Sequence, residues 1–444
     1  MYKYLADRLL IFIASMVYIV AIHLAHRGYL SDQELIPFYT YEPLEVLDYL
    51  WVLVYVLIIS LFIPNHLEKI SSIFIYILYL FLYLPLPIIV LGEKWISNNN
   101  KYAVVLASLI SFIFISLPPM LSGRNWTNGR RININRFGVL FLLIWIALAI
   151  IFWFRFGHII NFAGPNEIYS QRSAGMATSL FEGYLQVYFG YFASVLLLAF
   201  GLYTRRVMYQ VFGIIGCILL YGVTAEKTIF LMPLYVYLIH RAIVSKYRCV
   251  YLLSIFMFAS ALSFIYVELS YIDSSFSYWL GFYYLTRIVT IPALFLAQYF
   301  EYFSDHGLTY WGHVSGIAHY VAPSSSLYTD PLFPQLGKII ARDVHGINSN
   351  SNASFLATDG AAAFGVFGVI TISLMLSCYL LVLDFVGRRW PIAFTAPALS
   401  PLAFILTNGS LFTALLSFGG LLWLLIFFIG DVAPKNKQRD TEHL

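Results

Sequence analysis

Charge is what this chain lacks: Asp, Glu, Lys and Arg make up 11% of its 444 residues, against about 25% in an average soluble domain. Such a chain cannot clothe a water-facing globule, and at 60% hydrophobic it is predicted to be a polytopic membrane protein. Cysteine is scarce too. Cys217, Cys249 and Cys378 all lie in or beside apolar runs and give neither a disulfide framework nor a metal-ligand spacing. The alternating segments of about ten residues that mark a transmembrane barrel are missing. No Walker A loop, dinucleotide fingerprint or GxSxG elbow occurs, so the reading has no place for the chemistries those motifs carry. No Asp-x-Asp pair occurs either, which argues against a metal-dependent nucleotide-sugar transferase. His306, His313 and His319 stand seven and six apart, a spacing no common zinc motif shows. Neither metal, cofactor nor nucleic acid is expected.

What is present is apolar sequence in long runs, at about 9–25, 49–64, 71–92, 103–121, 137–154, 185–203, 208–223, 229–240, 249–267, 361–385, 392–407 and 411–430. Many approach the roughly 20 residues that cross a bilayer as helix. The first has no small-residue cleavage site and is followed by many more, so it is read as a retained helix. Basic residues stay on the cytoplasmic side of short loops. With the N-terminus inside, seventeen of the twenty-six Lys and Arg, from Lys3 and Arg8 to Arg388, Arg389 and the basic C-terminal tail, fall inside. The chain is thus predicted to be one integral membrane domain over 1–444, all-α, with about twelve spans and both termini cytoplasmic. Two long external loops result, 155–184 and 268–360. A further apolar run, Tyr278 to Phe300, would reverse the charge pattern if it crossed. It is expected to lie in the outer interface or to re-enter among the helices, bent by Pro292.

The external loops carry the candidates for chemistry. Arg172 opens an arginine, ten residues, glycine pattern ending at Gly183; a snorkelling or solvated arginine is the plain alternative. Arg287, flanked by apolar residues in YYLTRIVTIPALF, must find an anion or carbonyls. Either a nearby acid such as Asp273 or Glu301 pairs with it, or its planar fork grips a diphosphate. Lys227, in TAEKT between two spans, is a second phosphate contact or a snorkelling lysine. Arg342, beside Lys338, reads first as a loop charge. Asp359, at the outer end of a span, is a helix cap or a general base. Tyr, Trp and Phe reach 18%, enough for interfacial belts and for stacking against sugar rings. The runs hold almost no charge besides Asp384, which argues against a transporter.

These features together resemble the Wzy-type O-antigen polymerases, the oligosaccharide repeat unit polymerases of bacterial inner membranes. The likeness covers most of the length: about twelve spans, two main external loops, Arg172 to Gly183 in the first and a key arginine in the second. The closing stretch with Asn352, Ser354, Phe355 and Gly360, then FGVFG at 364–368, is similar to the family's Asn and FGxxG region. Eleven residues past Arg287 stands Gln298, and past Arg342 Ala353, so the second arginine lacks the following glycine. The resemblance implies the C-type glycosyltransferase architecture shared with O-antigen ligases, and glycosyl transfer on the periplasmic side of the inner membrane. It implies a glycan on undecaprenyl diphosphate as donor, a lipid-linked repeat unit as acceptor, membrane lipid around the chain and a chain-length regulator as partner. Arg172 and Arg287 would then neutralise the leaving diphosphate, with Lys227, Arg342, Gly183 and Asn352 as further contacts, and Glu301, His313 or Asp359 would take the acceptor's proton. An O-antigen ligase and a lipid-linked oligosaccharide flippase are the alternatives.

Overall fold

The structure, a computed structural model, describes residues 2–27, 41–64, 67–122, 134–162, 168–176, 179–245, 248–270, 272 and 275–432. Asp273, one proposed partner of Arg287, lies outside them. The first half runs α1 (Tyr2–Ala25), α2 (Val46–Phe62), α3 (Ile70–Leu78), α4 (Leu86–Gly92), α5 (Asn98–Ile115), α6 (Pro118–Leu121), α7 (Gly138–Phe156), α8 (Ile168–Ala174), α9 (Leu180–Val187) and α10 (Val195–Thr204). The second runs α11 (Val207–Thr224), α12 (Lys227–Val244), α13 (Arg248–Ser270), α14 (Ser275–Leu280), α15 (Ile291–His306), α16 (Ser325–Tyr328), α17 (Leu336–Asp343), α18 (Ala362–Gly387), α19 (Ile392–Ile405), α20 (Leu411–Leu416) and α21 (Gly420–Val432). Among the described residues no strand forms, only an isolated bridge between Tyr41 and Glu93. Helix closes its own backbone hydrogen bonds, and a chain this apolar has no other way to do so in lipid.

Among the described residues nine helical stretches are long and apolar enough to cross a membrane, and three shorter apolar stretches of helix, Val46–Phe62, Ser254–Leu269 and Ile392–Ile405, accompany them. Each of the twelve apolar runs thus falls largely in helix, the run 249–267 within the 23-residue α13. Turns of two residues join α10 to α11 and α11 to α12, each begun by a left-handed residue, Arg205 at φ 56° and Ala225 at φ 49°. So short a link makes neighbouring helices antiparallel.

Contacts near the helix termini sort the molecule into two ends. At one, Lys69 donates to the Pro119 carbonyl and to Ser122, the Ser71 amide and hydroxyl donate to Asp384, and His240 meets the Ala393 carbonyl. Arg8 donates there to the carbonyls of Ser60 and Ile63. At the other, Arg172 reaches Ala225, Tyr191 reaches Glu226, and Asp359 reaches Leu411.

The run 278–300 departs from one of its two expectations. It forms α14, a π-helical segment Gly281–Thr290 and α15, and every residue from Val289 to Phe300 is buried. A helix covered on all sides lies among its neighbours and not in the interface. Pro292 stands where the π-helical segment passes directly into α15.

The entry to α18 is broken. A π-helical segment, Leu356–Ala361, runs into it, and then Phe364 (φ −144°, ψ 23°) and Gly365 (φ 57°, ψ −133°) leave helical geometry. Only glycine adopts the second conformation at low cost. The chain doubles back so closely that a Cβ on Gly368 would collide with the Gly360 carbonyl. In an unbroken helix the carbonyls of Ala362 and Ala363 would accept from Val366 and Phe367. Here they accept instead from the amides of Thr309 and Tyr310, at 2.9 and 3.2 Å. The large loop is thereby stitched into the break.

Candidate functional site

Three of the expected cations meet at one end of the bundle. Short helix α8 is lashed to the C-terminus of α11: the Gln171 side-chain amide lies against the carbonyls of Asn161, Tyr221 and Gly222 at 2.6 to 3.2 Å. Gly175 packs on the Val223 carbonyl with no room for a Cβ. This places Arg172, which is exposed and donates Nη2 to the Ala225 carbonyl at 3.2 Å. Two residues on, Lys227 opens α12; its Nζ donates to the Tyr283 hydroxyl and sits 4.0 Å from that ring's centroid. Tyr283 belongs to the π-helical segment that carries Arg287 one turn later, with the guanidinium 5.2 Å from the Phe282 centroid. Arg172, Lys227 and Arg287 therefore follow one another through the 225–227 turn and Tyr283.

Electrostatics here runs against stability. A lysine at a helix N-terminus adds charge to the positive end of the dipole, an unfavourable placement worth about 0.3 to 1 kcal/mol. Arg287 is exposed, and among the described residues no carboxylate lies within ion-pair distance of it or of Arg172. Glu301, one proposed partner for Arg287, is engaged elsewhere. Its carboxylate accepts from the Ser97 amide and hydroxyl and from Asn100 Nδ2, at 3.2, 3.3 and 2.6 Å. That caps α5 and leaves it poorly placed as a general base.

A second locus sits under the large loop. Asp359, fully buried in the π-helical segment, accepts from the Leu411 amide through Oδ2 at 2.5 Å. Its Oδ1 faces His313 Nε2 at 3.5 Å. Neither of these two atoms has a hydrogen-bond partner, although both are buried. His313 Nδ1 lies 2.9 Å from Thr309 Oγ1, and the Trp311 indole N–H donates to the Asp359 backbone carbonyl at 2.7 Å. Tyr310 and Trp311 both hold positive φ, 48° and 63°. Bulky residues there are strained by roughly 1 to 3 kcal/mol each, and rings of Phe364 and Phe412 pack on Trp311.

Helix α20 joins the two loci. Its N-terminus rests on Asp359, and its Leu416 carbonyl accepts from the Tyr188 hydroxyl. One turn later Tyr191 donates to Glu226 at 2.8 Å, beside Lys227. Six residues of helix span about 9 Å.

The remaining residues lie apart. Arg342 is bound on one side by Asp330 and on the other by Asp343; its guanidinium holds both carboxyls below their ordinary range. Neutralised in this way, it has little charge left for a phosphate. Gly183 lies within α9, its amide donating to Ser179, beside the buried Glu182 that pairs with Arg155. Asn352 is exposed next to buried Ser351. His306 stacks on Tyr302 with centroids 4.2 Å apart and His319 is exposed, so the three spaced histidines do not converge. Sequence reasoning missed Thr309, Trp311, Gln171 and Tyr283. Thr309 and His313 are four apart, a visible signal; the others carry none. Comparison with family models, with curated proteins and with solved structures returns no match.

Proposed function

We propose that this chain is a glycan polymerase of the bacterial inner membrane, transferring a growing glycan from undecaprenyl diphosphate to a lipid-linked repeat unit at the periplasmic face. The three shorter apolar stretches would also cross, giving about twelve spans with cytoplasmic termini. One observation carries the reading: Arg172, Lys227 and Arg287, from three separate segments, are drawn to one end of an apolar bundle with no carboxylate against either arginine among the described residues. An array of this kind suits a dianionic group on a lipid.

The acceptor hydroxyl oxygen forms a bond to the donor's anomeric carbon as that carbon's bond to the diphosphate oxygen breaks. The electron pair leaves with undecaprenyl diphosphate, whose charge the three cations offset. Fixed donors aimed at a developing anion are worth about 10²- to 10³-fold each. Arg172→Lys and Arg287→Lys keep the charge and lose the two-point grip. Each is expected to lower polymerisation by that order, read as loss of the long ladder of surface glycan on a gel. Full activity in both would overturn the assignment.

A strain deleted for the gene should show lipid A core bearing one repeat. Core with no repeat would point to a ligase or a flippase, which full-length polymer left on undecaprenyl diphosphate would tell apart. A chain-length regulator is the partner this reading calls for.

A further inference from the structure

A row of tyrosines rises beside the three cations. Gly190 packs against Leu220 with no room for a Cβ. Beyond that contact α11 has four residues left, 221–224, and the neighbouring stretch has ten, 180–189, so α9 stands about 9 Å above the 225–227 turn as a wall. Tyr184, Tyr188 and Tyr191 recur along it at helical spacing: the first two rings lie 6.2 Å apart, and Tyr191 meets Phe418 edge-on at 5.4 Å. A membrane belt of tyrosines sends its polar tips to headgroups and water. Here Tyr188 donates its hydroxyl to the Leu416 carbonyl and Tyr191 to Glu226 Oε2, both at 2.8 Å. Two of the three tips are thus spent on the protein, which fixes their rings. Tyr184, 43% exposed, stands at the outer end of the row.

Glu226 closes the inner end. It is exposed, directly precedes Lys227, and among the described residues lies within ion-pair distance of no cation. A carboxylate in that place repels the diphosphate that the neighbouring cations would hold, so it weakens the site it borders unless something else engages it. A carboxylate offers about four acceptor positions. Tyr191 takes one on Oε2, and Oε1 has no partner among the described residues. Hydroxyls to donate and a ring to lay on an aromatic face are what a sugar brings.

We propose that Glu226 with Tyr184, Tyr188 and Tyr191 is a sugar subsite, which holds the first sugars of the donor glycan as they leave the diphosphate and run outward along α9. This rests on the polymerase reading. The hydroxyls of the sugar next to the diphosphate donate to Glu226, and the following sugars stack on the tyrosine rings. A glycosylated lipid offsets the carboxylate's repulsion with its hydroxyls, whereas a bare lipid diphosphate meets the repulsion alone. The subsite therefore favours the donor and disfavours the undecaprenyl diphosphate that transfer releases, which clears the product.

The test is retention of two lipids by the full chain in nanodiscs, read by native mass spectrometry with melting temperature measured in parallel. One lipid is undecaprenyl diphosphate carrying the producing strain's own repeat unit, and the other is bare undecaprenyl diphosphate. Wild type is expected to prefer the glycosylated lipid. Glu226→Gln keeps an acceptor for Tyr191 and loses the charge. It should bind the glycosylated lipid about 10-fold more weakly and the bare lipid at least as well as wild type does. Tyr184→Leu should bind the glycosylated lipid several-fold more weakly, and Tyr184→Phe should match wild type, because the ring face and not the hydroxyl makes the contact. Equal affinity of wild type for the two lipids, an unchanged preference in Glu226→Gln, or a loss in that variant that falls equally on both lipids would overturn the subsite and leave the polymerase standing. Should Glu226→Gln melt early, the Tyr184 pair decides alone, and a leucine that binds as tightly as tyrosine overturns the subsite. Wild-type protein that retains neither lipid would overturn the polymerase reading, and the subsite with it.

Discussion

A single side chain in this molecule is defined by what it has been prevented from touching water with. His345 shows this outside the bundle: its ring nitrogens lie 2.8 Å from Ser351 Oγ and 2.9 Å from Gln298 Oε1, and burial holds its pKa down at about 4 from an ordinary 6.5. A group whose folded pKa is depressed in this way favours the neutral ring. Its contribution to stability is complete above about pH 6.5 and is lost as the pH falls toward about 4, because the unfolded chain then binds the extra proton. The melting temperature in detergent should fall across that window, and His345→Gln should flatten the fall. An unchanged slope in the variant would assign it to other groups. Asp330 and Asp343, held below their ordinary values by Arg342, act only at lower pH. Glu301 teaches the complementary lesson. Nothing in its neighbourhood announces a helix cap, since Ser97 lies 204 residues away in sequence.

Short helices, more than the long spans, decide where the cations stand. Helix α8 has seven residues, too few to hold shape alone, and it stays in place through Gln171 and the close approach of Gly175 to Val223. Gln186 adds a bond to the Gly175 carbonyl at 2.8 Å. Gly175→Val would push α8 off α11 and move Arg172 without altering it. Polymerisation is expected to fall about as far as in Arg172→Lys, with the melting temperature lowered by only a few degrees. Normal activity in Gly175→Val would mean that α8 does not set the arginine. The arginine-to-glycine spacing that drew notice to Arg172 says nothing of this, for Gly183 belongs to α9 and the glycine that matters to α8 is Gly175. Helix α20 plays a similar part, tying Asp359 to Tyr188.

Across the whole molecule, contacts near the helix termini define two opposite ends, and which end faces the cytoplasm is the expectation drawn from the basic residues. Thiol labelling in a cysteine-free background tests it. Tyr320→Cys, at 88% exposure in the large loop, should react with an impermeant reagent in intact spheroplasts, and the exposed Glu68→Cys only after permeabilisation. The reverse pattern would invert the topology and put the cation site inside. The helical nature of the chain, its apolar runs and the alternation of its loops were legible in sequence because each depends on local composition: lipid forces helix, and charge resists crossing.

Sequence by itself thus determined that this is an all-helical protein with apolar helices long enough to cross a membrane. Tertiary structure alone decided that the run 278–300 is buried among helices, that Arg342 is spent on two carboxylates and Glu301 on a cap, and that His313 faces Asp359 across 3.5 Å. The physical reason is range. Burial in lipid acts on each residue according to its own polarity, so it is written along the chain. A hydrogen bond or an ion pair needs a partner within a few ångströms, and in a bundle of this kind that partner is set by which helices pack together.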